Sequence, residues 1–431
     1  MPASQSDPHV IPAMYITGDV PATGGVIKQR PEDFLVEETP LYQPAGEGEH
    51  IYLFVEKRGM STLEMVEVVA RHFRVPRRAI GYAGMKDKQA ITRQVVSVHA
   101  PGKKLEDYPM LDHERVAILW ADYHQNKLRT GHLAGNRFSI RIRGVSATAA
   151  LPAKRVLDRL ERVGVPNRFG EQRFGHCQNN HLVGRELILG NARAALDALL
   201  GPNPAHRDQQ SEARALYAAG EFARAREAFP HSLRTERDAL ARLTHGQSPE
   251  RVVGTLDQTV RRFMLSAFQS GVFNAVLDAR ITDGSYASLR LGDVAHIHES
   301  RGQFVVYDTV LAEPDLMDRV QRLELSPTGP MWGASMKRAE GVTDTLERAA
   351  LESIGVSLDD LGRYAAASGE DLEGARRPLR VPVIAPQIEG GVDEHGSYVR
   401  VAFELPRGAF ATVVLREIMK PAGGRGIETD S

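Results

Sequence analysis

The chain is poor in cysteine and lacks the common sequence motifs of nucleotide, metal and redox cofactor sites. It has one cysteine, Cys177, among 431 residues, which excludes an internal disulfide framework and an all-cysteine zinc site. It has no phosphate loop of the GxxxxGKS or GxxxxGKT type, no HExxH, no CxxC pair and no Rossmann glycine fingerprint after a strand. The sequence therefore shows no signature of a nucleotide, metal or redox cofactor, and we expect none.

The sequence also has no large excess of charge of one sign and no long apolar run. With 54 basic and 55 acidic residues the formal net charge is −1, so any affinity for a nucleic acid has to come from local patches. No apolar run is long enough to span a bilayer, and Met1–Pro8 lacks the charged and apolar regions of a signal peptide. We predict a cytoplasmic protein with no membrane partner and a disordered tail at 421–431.

The first part of the chain alternates strand and helix patterns. An apolar-rich strand at His50–Lys57 is followed by Ser61 and Glu64, whose spacing predicts a capping box at the start of a helix. A short strand comes next and then a second one at Val95–Val98, with Asp87 in the loop between them. Catalytic groups are often carried on loops that a rigid scaffold holds in place.

A strand with one apolar and one basic face is predicted from residue 137 onward. The residues on its apolar side are Phe138, Ile140 and Ile142, and those on the other side are Arg137, Ser139, Arg141 and Arg143. Asn136 shares the parity of Phe138, so both side chains should project to the same side. The pattern alone explains Phe138 equally well as a core residue of the strand.

The rest of the chain is predicted to contain both helices and strands. An amphipathic helix at Leu151–Val163 ends at Gly164, and we place a domain boundary after it. The later elements are a helical hairpin at 213–251, a long helix at 263–277, strands near 289–297, 304–307 and 399–403, and a final helix within 410–418.

The residues around Asp87 form the most informative block of the sequence. The block at 81–91, GYAGMKDKQAI, presents one carboxylate between two lysines after a short apolar run. A lone acid in this setting is either a nucleophile or a solvated turn residue, because aspartate is a favoured turn former. The local pattern favours a solvated turn residue, so the assignment of Asp87 depends on motifs elsewhere in the chain.

Four further blocks accompany the Asp87 block. They are KQRPEDFLVEE at 28–38, GNRF at 135–138, PNRFGEQRFG at 166–175 and LPRGAFAT at 405–412. Together and in this order, the five blocks resemble the TruD family of pseudouridine synthases, and they span nearly the whole chain. The resemblance implies an isomerase that converts uridine to pseudouridine in RNA, with position 13 of tRNA as the favoured substrate.

The resemblance also implies a fold and a domain organisation. The expected fold is α/β (α+β): a pseudouridine-synthase catalytic domain with a mixed or antiparallel sheet and flanking helices, interrupted by a large α/β insertion. The first part of the catalytic domain would cover 1–165 and the TRUD insertion domain 166–386, and the catalytic domain would return at 387–431 with the tail. The expected partner is tRNA, no nucleotide cofactor is implied, and we expect a monomer.

Pseudouridine formation needs a group that attacks C1′ of the ribose or takes a proton from C2′, and a carboxylate can serve in either role. By resemblance this group is Asp87, with Lys28 as its ion-pair partner. The same resemblance assigns the uridine pocket to Phe34, Asn136, Phe138 and Phe410. An amide can both donate to and accept from the uracil edge, and aromatic faces recover roughly 1–3 kcal/mol per stacked base.

Affinity for RNA would come from basic side chains on phosphates, which fix register but read no sequence. The candidates are Arg77, Arg78, Lys86, Lys88, Arg141, Arg143, Arg168 and Arg173. Two other functions stay open. A protein that binds or folds RNA without turnover would use the same surface. A glycoside hydrolase would normally need a second acid, which Glu32 or Asp33 could supply only if the Lys28 block folds next to Asp87.

Overall fold

The chain forms two compact units. The computed structural model describes residues 14–203, 209–333, 335–368 and 372–421. The sheet unit contains Thr17–Val165 and the chain from Val381 onward, and the helix-rich unit contains Pro166–Arg380 with the segment up to Ile16. The expectations for Met1–Pro8 and for the tail beyond residue 421 lie outside the described residues.

Helices and strands are mixed along the described residues, as expected from the sequence. The strands are β1 (Phe34–Pro40), β2 (His50–Arg58), β3 (Ile80–Tyr82), β4 (Ile91–His99), β5 (Val116–His124), β6 (Leu133–Arg143), β7 (Val165–Pro166), β8 (Val294–Ile297), β9 (Gln303–Val305), β10 (Leu325–Met331), β11 (Ala375–Pro378), β12 (Arg380–Val381), β13 (Ile384–Asp393) and β14 (Gly396–Pro406). The α-helices are α1 (Thr62–His72), α2 (Ala150–Val163), α3 (Asn180–Leu189), α4 (Ala192–Leu200), α5 (Ser211–Ala218), α6 (Phe222–Ala228), α7 (Arg234–Thr244), α8 (Pro249–Gly254), α9 (Gln258–Thr282), α10 (Asp308–Leu311), α11 (Leu316–Gln321), α12 (Gly341–Ser353), α13 (Leu358–Ser368) and α14 (Ala411–Met419).

The sheet unit is built on a mixed sheet, which confirms the predicted fold class. Its described strands lie in the order β13-β14-β6-β1-β4-β2-β5, and β3 pairs with β4 outside this path. β1 and β4 are parallel, whereas the other neighbours are antiparallel. Helix α1 packs on one face of β2 and β4. Met65 and Val69 of the helix share a buried core with Leu53 and Val55 of β2 and Val96 of β4.

Two local predictions in this unit are confirmed. The Ser61 hydroxyl accepts from the Glu64 N–H at 3.2 Å, and the Glu64 carboxylate accepts from the Ser61 N–H at 2.6 Å, so the capping box starts α1 as expected. Helix α2 ends at Gly164 with φ of +81°, a conformation that side chains with a Cβ rarely adopt. At the start of α1 and the end of α2, the local sequence was therefore sufficient to predict the helix boundary.

The helix-rich unit is organised around α9, a helix of 25 residues. Its four-stranded sheet has the order β11-β10-β8-β9 within the described residues. The segment predicted as one helical hairpin forms four short helices, α5 to α8. Residues of these helices share a core with α4 and the start of α9, including Tyr217, Leu240, Val252 and Met264. The hairpin prediction was therefore too simple, because the helices pack as a larger layer.

Arg143 departs from the basic face predicted for β6. Its side chain is buried, with Nη2 2.6 Å from Asp33 and Nη1 2.7 Å from Asp393. These hydrogen bonds hold the pKa of Asp393 well below its usual value. The Arg143 backbone also exchanges hydrogen bonds with Val26. The segment between Val26 and Asp33 is thus fixed at both ends by one residue of β6, and Lys28 lies between these two fixed points.

We expect Arg143→Leu to lower the free energy of unfolding by about 3–5 kcal/mol, because it removes both side-chain hydrogen bonds that Arg143 donates to the buried Asp33 carboxylate. Arg141→Leu is the matched control. The Arg141 side chain is 35% exposed and lies 3.8 Å from Asp393 and 3.9 Å from Asp33, so its loss should cost at most about 1 kcal/mol. Urea denaturation measures the free energy of unfolding of both variants. Equal losses of stability would contradict the role of Arg143 in fixing the segment from Val26 to Asp33.

Candidate active site

Lys28 and Asp87 meet because of the parallel strand pair in the sheet. β1 and β4 run in the same direction, with Leu35 beside Ile91, so both strands begin at the same edge. Lys28 lies in the segment before β1, and Asp87 lies in the loop before β4. The Lys28 Nζ is 2.9 Å from the Asp87 Oδ1, which makes an ion pair. The topology thus joins two blocks that are far apart in sequence.

The ammonium of Lys28 is held in a constrained position. Its side chain is 4% exposed, and Nζ lies 4.5 Å from the centroid of the Phe34 ring, a cation–π contact. The Lys28 backbone has φ of +57°, in the left-handed region that costs a non-glycine residue roughly 1–2 kcal/mol. Such strain persists only where the surrounding structure enforces it, and it clusters at functional sites.

Asp87 offers one carboxylate oxygen to a ligand. Its side chain is 39% exposed, and Oδ1 is paired with Lys28. In the described part of the chain, Oδ2 has no hydrogen-bond partner. A carboxylate with one oxygen fixed and the other accessible has the geometry that a nucleophile or a base requires.

Lys57 holds the backbone of the Asp87 loop, and the sequence analysis missed it. Its side chain is fully buried, and Nζ donates to the carbonyl oxygens of Asp87 at 2.7 Å and Met60 at 2.6 Å. Burial lowers the pKa of Lys57 to about 8, against the opposing effect of the Asp87 charge. The sequence did contain a signal for it: in the alternation of β2, Lys57 occupies the next inward-facing position after Ile51, Leu53 and Val55.

A second buried cation, Lys86, connects the loop to the middle of the sheet. Its Nζ lies 2.7 Å from the Glu38 Oε2 and donates to the Asn136 Oδ1 at 2.8 Å. Glu38 and Asn136 are opposite each other on β1 and β6. Burial raises the pKa of Glu38, although the charge of Lys86 opposes this effect. The Lys86 backbone N–H also donates to the Thr62 hydroxyl at 2.9 Å, at the start of α1.

This contact fixes the orientation of the Asn136 amide. An ammonium can only donate, so the atom facing Lys86 must be the amide oxygen. The amide nitrogen keeps its two N–H groups, and within the described residues it has no acceptor. Asn136 therefore presents donors rather than an acceptor to a ligand.

The structure places the three phenylalanines assigned to the uridine pocket in different settings. Phe34 is buried against Lys28, and Phe138 is buried with its ring centroid 5.5 Å from that of Phe403. Phe410 is 45% exposed at the N-cap of α14, and no ring contact joins it to the other two among the described residues. Of these three phenylalanines, Phe410 alone has an exposed side chain.

The eight basic residues assigned to phosphate contacts fall into two groups. The accessible or half-buried group contains Arg77, Arg78, Lys88, Arg141 and Arg173. The other three are buried and paired with carboxylates: Lys86 with Glu38, Arg143 with Asp33 and Asp393, and Arg168 with Asp278. Because their charge is already neutralised inside the protein, Lys86, Arg143 and Arg168 are less suited to phosphate contacts than the first group.

Two broader features can be stated for the described residues. No group of three His, Cys, Asp or Glu side chains is arranged to bind a metal ion. No helix there is long and apolar enough to cross a membrane.

Neither glycine of the 81–91 block has a positive φ, so neither Gly81 in β3 nor Gly84 in the following loop is needed for a left-handed turn. A Cβ on Gly81 would lie 2.3 Å from the Leu128 carbonyl oxygen and 2.6 Å from the Ser97 hydroxyl. A Cβ on Gly84 would meet nothing closer than the Lys86 Nζ, at 3.8 Å. Gly81 is thus required by close packing, whereas Gly84 is not.

We expect Gly81→Ala to lower the free energy of unfolding by about 1–3 kcal/mol, because the backbone of Leu128 has to move away. Gly84→Ala should be neutral or stabilise by up to about 1 kcal/mol, since its new methyl group fits and restricts the unfolded chain. Chemical denaturation of both variants measures the difference. A Gly81→Ala protein as stable as Gly84→Ala would contradict the packing described here.

Comparisons with known proteins agree with this arrangement. Residues 11–418 match the family model described as tRNA pseudouridine synthase D (TruD). The chain is 43% identical over 408 residues to a tRNA pseudouridine synthase D of Geotalea daltonii, covering 94% of this chain and 99% of that protein. It is 42% identical over 415 residues to the protein of the same name from Geobacter metallireducens, covering 95% and 98%.

The fold is similar to that of a solved relative. A crystal structure of a candidate tRNA pseudouridine synthase D from Methanosarcina mazei superposes with a TM-score of 0.81 at 27% identity, covering 94% of this chain and 96% of that one. The family model and the two sequence relatives each extend over more than nine-tenths of the chain. The resemblance found in the five sequence blocks is confirmed, and the chain belongs to the TruD family.

Proposed function

We propose that this protein is a tRNA pseudouridine synthase that isomerises uridine to pseudouridine, with Asp87 as the nucleophile and position 13 of tRNA as its target. The names of its relatives support the reaction and the substrate class. The observation that carries the catalytic assignment is the ion pair between Lys28 and Asp87, which leaves Oδ2 of Asp87 accessible. The target position rests on the family resemblance alone.

The proposed reaction needs only the Asp87 carboxylate and a uracil base that is able to turn. Oδ2 attacks C1′ of the ribose, the bond from C1′ to N1 breaks, and the uracil leaves with the electron pair. The base turns, C5 bonds to C1′, and the carboxylate is released. The hydrogen on C5 leaves as a proton and N1 gains one, so nothing is oxidised or hydrolysed. Removal of a proton from C2′ by the same oxygen is the alternative first step.

Lys28, Lys57 and Asn136 have separate roles in this proposal. Lys28 keeps Oδ1 in place and supplies a positive charge beside the reacting carboxylate. Lys57 is a positioning residue, because it holds the backbone carbonyl of Asp87. Asn136 offers its N–H groups to the C4 carbonyl of uracil, where cytosine would present an amino group instead. Two donors facing each other would leave both without an acceptor, which disfavours cytidine.

The accessible basic residues of the sheet unit fit RNA backbone contacts. Arg77, Arg78, Lys88 and Arg141 retain exposed charge, and the carboxylate partners of Arg77 and Lys88 are at the surface, where ion pairs contribute little. Phe410 has the exposure needed for stacking against an unpaired base. Phe34 and Phe138 would form buried walls of the pocket.

We further propose that Pro166–Arg380 is an insertion into the catalytic domain, since the sheet unit is made from the chain on both sides of it. The catalytic and pocket residues assigned here all lie in the sheet unit, and the enzyme is proposed to act as a monomer. A tRNA substrate would place the enzyme in the cytoplasm.

Tritium release from tRNA transcripts carrying 5-tritiated uridine tests the function, because the new bond at C5 must expel that hydrogen. We expect Asp87→Asn to lower the release rate by at least about 1,000-fold, as removal of a nucleophile does in other enzymes. Asp112→Asn, which changes an exposed acid in the same way, should retain the wild-type rate. A transcript with cytidine at position 13 should give no release.

Three results would contradict these assignments separately. Equal release by wild type and Asp87→Asn would remove Asp87 as the nucleophile. Undiminished release from the transcript with cytidine at position 13 would remove the target position alone. Tight tRNA binding by the wild type with no release from any transcript would favour an RNA-binding protein without turnover.

A further inference from the structure

A second group of cationic and aromatic side chains lies within the helix-rich unit. The guanidinium carbon of Arg173 is 5.4 Å from the ring centroid of Phe169 and 5.5 Å from that of Phe263. Phe169 is buried, whereas Phe263, on the second turn of α9, is 40% exposed. Arg173 thus contacts one fixed ring and one accessible ring.

The charge of Arg173 is not neutralised by a carboxylate among the described residues. Burial lowers its pKa, so water compensates the charge only in part. A second guanidinium, that of Arg377, lies 4.3 Å from the centroid of the same Phe169 ring. Burial, and next the charge of Arg173, lower the pKa of Arg377 to about 10. The charge of Arg173, beside this second cation, creates a positive potential that an anion would relieve.

We propose that Arg173 and Phe263 form an RNA subsite of the helix-rich unit that binds one unpaired nucleotide, with its phosphate on Arg173 and its base on the ring of Phe263. The inference rests on the proposed function, which supplies RNA as the ligand. A simple anion would use the guanidinium but would gain nothing from an exposed aromatic ring. A nucleotide uses both, because it carries a phosphate and a π face on adjoining groups.

The subsite is independent of the base specificity at Asp87. Stacking tolerates every base, and a phosphate contact reads no sequence. Arg262, the neighbour of Phe263 in the sequence of α9, is also exposed and adds positive charge to the surface of this helix. The subsite would therefore add affinity for an unpaired stretch of tRNA and leave the chemistry at Asp87 unchanged.

Fluorescence anisotropy of a labelled tRNA transcript, titrated at several NaCl concentrations, separates the two contacts. Arg173→Gln should weaken binding and reduce the slope of log Kd against log salt by about 0.7–1, because one phosphate contact is lost. Phe263→Ala should weaken binding at least about fivefold and leave the slope unchanged, because it removes one stacked base. Arg226→Gln removes another exposed arginine of the same unit and should match wild type in both quantities.

Turnover distinguishes failure of the subsite from failure of the proposed function. Arg173→Gln and Phe263→Ala should raise KM for tRNA and retain the wild-type kcat in tritium release. If the wild type releases no tritium, the proposed function fails, and the binding data still decide on the subsite. If both variants match Arg226→Gln in Kd and slope, the subsite is wrong. An effect of Arg173→Gln without one of Phe263→Ala would also overturn it, since an anion site needs no ring.

Folding of each variant is checked by its thermal midpoint. Phe263 is partly exposed, so its truncation leaves the core of α9 intact. If Arg173→Gln fails to fold, the result for Phe263→Ala alone decides, because loss of stacking is predicted for that variant by itself.

Discussion

The ion pair between Lys28 and Asp87 is the interaction on which the rest of the site depends. A parallel strand pair brings its two partners to one edge of the sheet, and the surrounding structure maintains the strained backbone of Lys28. Arg143 fixes the segment of Lys28 from both sides, through Val26 and Asp33. The ring of Phe34 covers the ammonium. These contacts together leave Oδ2 of Asp87 accessible, while the ammonium of Lys28 that pairs with Oδ1 is buried.

Two further buried lysines hold the Asp87 loop through contacts with carbonyl, carboxylate and amide oxygens. Lys57 holds the carbonyl of Asp87, and Lys86 connects Glu38 with the amide of Asn136. Burying cations costs free energy, so an arrangement with three of them around one loop is explained better by function than by stability. The same contacts leave two groups available for the proposed substrate: one carboxylate oxygen of Asp87 and the amide donors of Asn136.

The sequence allowed prediction of features that depend on local patterns or on the family blocks. The capping box at Ser61, the alternation of β6 and the loop position of Asp87 follow from neighbouring residues. The environments of Lys86, Arg143 and Arg168 did not follow, because their carboxylate partners are distant in the chain; Asp33 and Arg143, for example, are 110 residues apart. Lys57 was detectable from its parity, as a charge at an inward-facing position of β2. The helical layer of α5 to α8 was simplified to a hairpin because its packing partners, α4 and α9, flank the segment on both sides.

The most direct test of the central claim is the rate of tritium release by Lys28→Met and Lys28→Arg at saturating tRNA. Loss of the positive charge beside the reacting carboxylate should lower kcat of Lys28→Met by at least about 100-fold, with the Kd for tRNA within about twofold of wild type. Lys28→Arg keeps the charge and should recover part of the rate. A Lys28→Met protein with the kcat of wild type would show that the ion pair has no role in the reaction.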